Sequence, residues 1–185
     1  MRMKTLGIVA TSLCLTTIAM TAEPAMLLED FSSNPEARWT YVADTVMGGV
    51  STGTVEFTSE DGEDFARLTG DVSTDNNGGF VQFRTRFANK LPTDVKGFRL
   101  RVRGNGETYH VFLRSVNATR PWHSYRATFT SSGAWSEIDL PLSDFERSNS
   151  VLPERIGATE ITGMGIVGYG RDFEADVSVA SVSLY

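Results

Sequence analysis

Apolar and polar residues alternate with a period of two along most of this chain. In Phe80 to Phe87 (FVQFRTRF), Val81, Phe83, Thr85 and Phe87 fall on one face while Gln82, Arg84 and Arg86 fall on the other. Residues 98–103 (FRLRVR) repeat the pattern, with Phe98, Leu100 and Val102 opposite Arg99, Arg101 and Arg103. Residues 109–114, 125–130 and 135–140 alternate likewise, with Ile138 and Leu140 directed inward in the last. Shorter runs at 26–31, 39–46, 51–57, 65–72, 161–167 and 177–185 read as further strands, separated by turns such as Ser59 to Asp64 and Gly104-Asn105-Gly106. No stretch carries a sustained 3.6-residue apolar repeat. Many short half-buried strands with Gly and Asn turns predict an all-β fold, a single antiparallel β-sandwich of jelly-roll type.

The N-terminus departs from this pattern. Arg2 and Lys4 precede an uncharged apolar run from Leu6 to Met20, followed by the small residues Thr21 and Ala22. This is the layout of a secretory signal peptide, so residues 1–22 are expected to be removed and residues 23–185 to form one domain in the periplasm or outside the cell. The single cysteine, Cys14, lies inside the apolar run, and Leu13 before it fits a lipoprotein processing site poorly. The remaining chain has no cysteine, which excludes disulfides, thiolate metal sites and thiol nucleophiles. It carries 15 bases against 23 acids, a net charge of −8, which disfavours nucleic acid as a partner.

Within Trp39 to Gly53 (WTYVADTVMGGVSTG) an acid, a methionine, a glycine pair and a serine interrupt the alternation. The segment Asp44-Thr45-Val46-Met47-Gly48-Gly49-Val50-Ser51 resembles the signature of the complex I intermediate-associated protein 30 family. Asn77-Gly78-Gly79-Phe80, residues 96–102 (KGFRLRV), residues 125–129 (YRATF), Trp135 with residues 140–145 (LPLSDF), and residues 161–165 (ITGMG) resemble later blocks of that family in the same order. The resemblance spans residues 27–185 and implies a galactose-binding-domain-like jelly roll. It also implies an assembly-factor role, since mitochondrial members act in building the membrane arm of respiratory complex I. An exported chain differs from those members in compartment, so the fold transfers more readily than the task.

Two motifs fail on context. Gly49-Val50-Ser51-Thr52-Gly53 fits a nucleophile elbow, but a β-branched strand follows where a helix is required. Residues 163–168 (GMGIVG) fit a dinucleotide fingerprint, but lie within a strand pattern with no βαβ unit. His110 and His123 have no spacing that makes a zinc site or triad, so no catalytic residue and no enzyme activity are expected. No organic cofactor is expected either. Asp71, Asp75, Asn76 and Asn77 suit calcium ligation or simple turn formation.

The candidate binding residues are of two kinds. Asp44 and Ser51 either bind a ligand through the loop of Gly48 and Gly49 or cap local backbone groups, with Met47 expected to pack beneath. The strands 80–87, 98–103, 109–114 and 125–130, if they share one sheet, place Arg84, Arg86, Arg99, Arg101, Arg103, His110, Phe112, Arg114 and Arg126 on one basic surface. Arginine suits forked recognition of carboxylate or phosphate, although pairing with acids such as Glu107 would neutralise the same surface. Trp122 either plugs the core or, with His123, offers a platform to a sugar ring. The expected partner is an envelope or respiratory-complex protein, with an acidic or neutral glycan as the alternative.

Overall fold

A computed structural model describes residues 25–185; the expected signal segment 1–22, with Cys14, lies outside the described residues. Twelve strands follow in order: β1 Met26–Glu29, β2 Trp39–Ala43, β3 Thr52–Glu60, β4 Glu63–Val72, β5 Phe80–Arg86, β6 Gly97–Gly104, β7 Thr108–Ser115, β8 Tyr125–Thr130, β9 Ser136–Pro141, β10 Glu146–Arg147, β11 Ile161–Tyr169 and β12 Phe173–Leu184. Between them lie only short 3-10 turns, and there is no α-helix among the described residues.

The strands form two six-stranded antiparallel sheets. The first has the order β3-β4-β12-β6-β9, with β1 also on β12; the second has the order β10-β8-β7-β11-β5-β2. The chain crosses between sheets repeatedly, as a jelly roll requires, so neighbours in sequence often face each other across the core. That core is built from the inward positions of the alternation: Leu68, Phe98, Leu100, Val102, Val177, Val179 and Leu184 of the first sheet meet Val81, Phe83, Val111, Leu113, Met164 and Ile166 of the second. All are buried, as expected where two sheets pack face to face about 10 Å apart.

The strand pattern is therefore the predicted one, with small shifts. The second strand ends at Ala43 rather than Val46, because Asp44–Met47 coils into a 3-10 turn, and the two-residue β10 is additional. The supposition that four arginine-bearing strands share a sheet is wrong. Strand β6 pairs with β12 and β9 in the first sheet, whereas β5, β7 and β8 belong to the second. A period of two fixes which residues share a face of one strand and carries no information about the sheet that strand joins.

Candidate functional site

The corner after β2 is organised by Asp44, whose side chain is 0% exposed. Its Oδ1 accepts from the Ser51 N–H (3.0 Å) and its Oδ2 from the Ser51 hydroxyl (2.5 Å), the Gly79 N–H (2.5 Å) and the Phe80 N–H (3.1 Å). The Ser73 N–H in turn donates to Ser51 Oγ (2.9 Å). One carboxylate thus joins the end of β2, the start of β3, the end of β4 and the start of β5, closing one end of the sandwich across both sheets. Gly48 takes φ +93°, which reverses the chain after the 3-10 turn. A Cβ at Gly49 or at Gly78 would collide with the Asp44 side chain. Asp44 and Ser51 are therefore internal fasteners rather than ligand groups.

Burial pushes the Asp44 carboxyl up, but the hydrogen bonds from Ser51, Gly79 and Phe80 outweigh it and hold the carboxyl below its ordinary value of 3.8. Ser51 spends its hydroxyl on Asp44 and leads directly into β3, so the elbow-like motif carries no nucleophile. Met47 does not pack beneath the loop: it is 60% exposed and its neighbour Val46 71% exposed, because the turn directs both outward while the backbone below is held by Asp44. Asn76 and Asn77 adopt left-handed backbone (φ 56° and 58°) in the turn before β5, and no three acidic, histidine or cysteine side chains converge on a metal position among the described residues.

The arginines divide between the two outer faces. On the first sheet Arg99 bonds Asp139 through two donors (2.6 and 2.8 Å), Arg101 bonds Glu63 (2.5 and 3.1 Å), and Arg103 pairs with Glu60. Arg101 and Arg103 also lie over the Trp135 ring (5.4 and 4.6 Å). These cations are neutralised and stacked, which withdraws Arg99 and Arg101 as free recognition groups. A single basic surface does not exist.

On the second sheet the register builds rows across the strands. Arg84 of β5, Gly165 of β11, Phe112 of β7 and Arg126 of β8 are successive partners in one row; Arg86, Gly163 and Arg114 make the next; Gln82, Val167, His110 and Thr128 lie in the row on the other side. The G-x-G-x-x-G motif is thus a central strand with two side-chain-free positions on its outer face. Beside this strip stands a layer of rings. Phe112 and Tyr169 lie 5.2 Å apart and His110 lies 5.9 and 5.4 Å from them, all at steep angles. The Arg126 guanidinium sits 4.5 Å from the Phe112 centroid and 4.8 Å from that of Tyr169, and donates to the Tyr169 hydroxyl (3.1 Å) and to Ser124 Oγ (3.0 Å).

Burial, then the positive charge of Arg126 and Arg171, pushes the His110 imidazole below its ordinary value of 6.5, and its buried Nδ1 has no hydrogen-bond partner among the described residues. Arg114 donates to the carbonyls of Ala118, Arg120, Pro121 and His123, which ties the 116–124 loop to the end of β7. Burial and then the charges of Arg84 and Arg86 lower its pKa. Arg114 is therefore a loop anchor. His123 is buried, whereas Trp122 is 58% exposed and so is no core plug. The sequence reading placed Gln82 beside Arg84 and Arg86 but overlooked Gly163, Gly165 and Tyr169 as parts of this face. Alternation along β11 was the signal, since it sets Gly163, Gly165, Val167 and Tyr169 on one side.

The carboxylate that unites the DTVMGG and NNGG segments gives a physical basis to the motif resemblance, and the model of the complex I intermediate-associated protein 30 family matches residues 29–176. The chain belongs to that family. No curated protein matches it. Among solved structures it is similar to the family 11 carbohydrate-binding module of the cellulosomal cellulase Lic26A-Cel5E of Clostridium thermocellum, with a TM-score of 0.71, 14% identity, and coverage of 89% of this chain and 95% of that one. It is equally similar to a family 11 carbohydrate-binding module from Clostridium thermocellum in complex with a β-1,3-1,4-mixed-linked tetrasaccharide, with a TM-score of 0.71, 14% identity, and coverage of 89% and 96%. A family 30 carbohydrate-binding module is also similar, with a TM-score of 0.54, 13% identity, and coverage of 74% and 91%. At these identities the likeness shows the shared jelly-roll fold.

Two outcomes follow from this geometry. Asp44→Ala should destabilise the protein by about 3 kcal/mol or more in urea unfolding, because buried donors from several segments lose their acceptor. The folded-state pKa of Asp44 is depressed, so its stabilisation is complete above the unfolded value of 3.8 and lost as pH falls through the folded one; a stability profile between about pH 2 and 6 should show that loss in the parent and a smaller one in Asp44→Asn. Separately, NMR titration should place the His110 midpoint below 6.5, and Arg126→Ala should move it upward; a parent midpoint above 6.5 would contradict the description of this face.

Proposed function

We propose that this chain is a non-catalytic binding module, exported by its N-terminal segment, whose ligand is a glycan chain laid across the outer face of the second sheet. One observation carries the reading. In the middle of the second sheet Gly163 and Gly165 form a strip with no side chains of its own between Arg84 and Arg86 on one side and Phe112 and Arg114 on the other; both glycines are covered by their neighbours, with the Gln82 amide oxygen 3.0 Å from where a Cβ at Gly165 would stand. Half-buried Phe112, His110 and Tyr169 give the strip an aromatic flank, and Gln82 and Thr128 offer uncharged partners for hydroxyls. Arg84, Arg86 and Thr128 are exposed on this face, which suits a ligand laid against it from solvent. The family 11 module shares this fold and was solved with an oligosaccharide, which supports the same class of ligand here.

A second reading rests on a different observation. Val46, Met47 and Val50 are exposed apolar side chains on a backbone that Asp44 holds fixed, a preorganised arrangement that suits a protein partner of the kind an assembly factor engages.

Screening the purified 25–185 domain against soluble β-glucans, xylans, galactans and polyuronates tests the first reading. At least one class should bind, and Phe112→Ala should weaken that binding by about tenfold, equivalent to ~1.4 kcal/mol. A screen without any bound glycan would sink the glycan reading.

A further inference from the structure

We infer that the glycan recognised by this face is anionic, a polymer whose sugars carry carboxylates in the manner of uronic acids. The inference rests on the glycan reading above and adds the charge of the ligand.

The strongest support is the unequal treatment of arginine on the two faces. On the first sheet Arg67, Arg99, Arg101 and Arg103 are each paired with a carboxylate, Asp176, Asp139, Glu63 and Glu60 respectively. On the second sheet Arg84, Arg86, Arg114 and Arg126 have no carboxylate partner among the described residues. Arg84 and Arg86 are exposed, with no hydrogen bond from either guanidinium among the described residues. Arg114 is satisfied only by backbone carbonyls, and Arg126 by two hydroxyls and two ring faces. Along the rows described above the one acid is Glu146, beyond Arg126 on the edge strand. The whole chain carries a net charge of −6, so acids were available, and this face has almost none.

Like charges held together without counter-charges raise the local potential; burial first, and then the charges of Arg84 and Arg86, lower the pKa of Arg114. A ligand supplying carboxylates relieves that repulsion. The geometry suits a carboxylate presented repeatedly along a chain. Arg84 and Arg126 end one row, separated by Gly165 and Phe112, a span of about three strand spacings or ~15 Å. Arg84 and Arg86 lie two residues apart on β5, roughly 7 Å. A polymer crossing the strands along this row would therefore meet guanidinium groups at both ends and along one flank, passing over the Gln82 amide that lies against Gly165, with Thr128 beside its path. The forked guanidinium matches a planar carboxylate through two parallel hydrogen bonds.

An acidic peptide matches this face less well. Extended peptides bind sheets chiefly by adding to an edge, where backbone groups are free, and β11, β7 and β5 are all paired on both sides. A sheet face offers side chains alone, and the neutral donors here suit a ligand rich in hydroxyls.

Calorimetry on the 25–185 domain with polygalacturonate, its fully methyl-esterified form, mixed-linkage β-glucan and polyglutamate tests the inference. Polygalacturonate should bind, and more weakly as salt rises. The methyl ester and the neutral glucan should bind at least about tenfold more weakly. Arg84→Ala with Arg86→Ala, at exposed positions without partners, should weaken polygalacturonate binding about tenfold with the melting temperature retained. Arg99→Ala with Arg101→Ala, the same charge change on the opposite face, should leave affinity within about twofold. Neutral glucan bound as tightly as polygalacturonate would overturn the anionic inference and leave the glycan reading standing. Equal binding of polyglutamate, or full affinity in the Arg84/Arg86 variant, would also overturn the inference. Absence of binding to all three glycans would remove the anionic inference, and the glycan reading falls with it only if the wider screen above is also empty.

Discussion

The buried carboxylate of Asp44 is the constraint on which the rest of the structure depends. A jelly roll built from short strands has many corners, and each corner must satisfy backbone donors that no ladder reaches. Here one side chain accepts from Ser51, Gly79 and Phe80, and so fixes the register in which β3 leaves the first corner and β5 enters the second sheet. An anion in this position needs little help from distant charge, because N–H and O–H dipoles converge on it. Two glycines then become necessities of space: Gly49 and Gly78 stand where any side chain would meet the carboxylate. Two sequence blocks more than twenty residues apart are thereby parts of one fastener.

The position of β5 links this fastener to the putting-together of the outer face. Phe80, whose N–H Asp44 accepts, is the first residue of the strand that carries Gln82, Arg84 and Arg86. Its pairing with β11 is uninterrupted from Gly163 to Tyr169, so anchoring one end sets which residues of β5 flank the glycine strip at the other. A one-residue slip would turn the arginines into the core and Phe83 out to solvent. Fold stability and the composition of the face are therefore coupled through register.

Strands were legible in the sequence because burial on one side imposes a period of two, and all eleven expected strands exist within a few residues of their expected limits. Their division between sheets was not legible, since Arg99, Arg101 and Arg103 alternate just as Arg84 and Arg86 do. A weaker signal was present in β9, where Glu137 and Asp139 alternate with Ile138 and Leu140; acids in that period are suited to lie beside the arginines of β6, and Asp139 does. Met47 was misjudged, and the core-plug alternative for Trp122 fails, for a different reason. Large apolar side chains usually gain about 2 kcal/mol from burial, which makes an inward orientation the natural expectation, but a 3-10 turn and a backbone loop fixed by polar groups leave each facing solvent.

The two outer faces show how one residue type serves opposite ends on one scaffold. Where arginine meets Asp139 or Glu63, its charge is consumed locally, and screened surface pairs of this sort add at most about 1 kcal/mol each to stability. Where Arg126 lies between Phe112 and Tyr169, the rings hold the guanidinium in place without cancelling its charge, since a ring quadrupole attracts a cation but carries no net charge. Stacking therefore preorganises a cation that pairing would have silenced. The glycines of β11 lie one strand further in: they add no side chain to the outer face, and Gln82 and Arg84 close over Gly165. A fold shared by glycan-binding modules and by this family need not share a ligand, because what is inherited is a sheet face, and its selectivity follows from which cations are paired and which are left open.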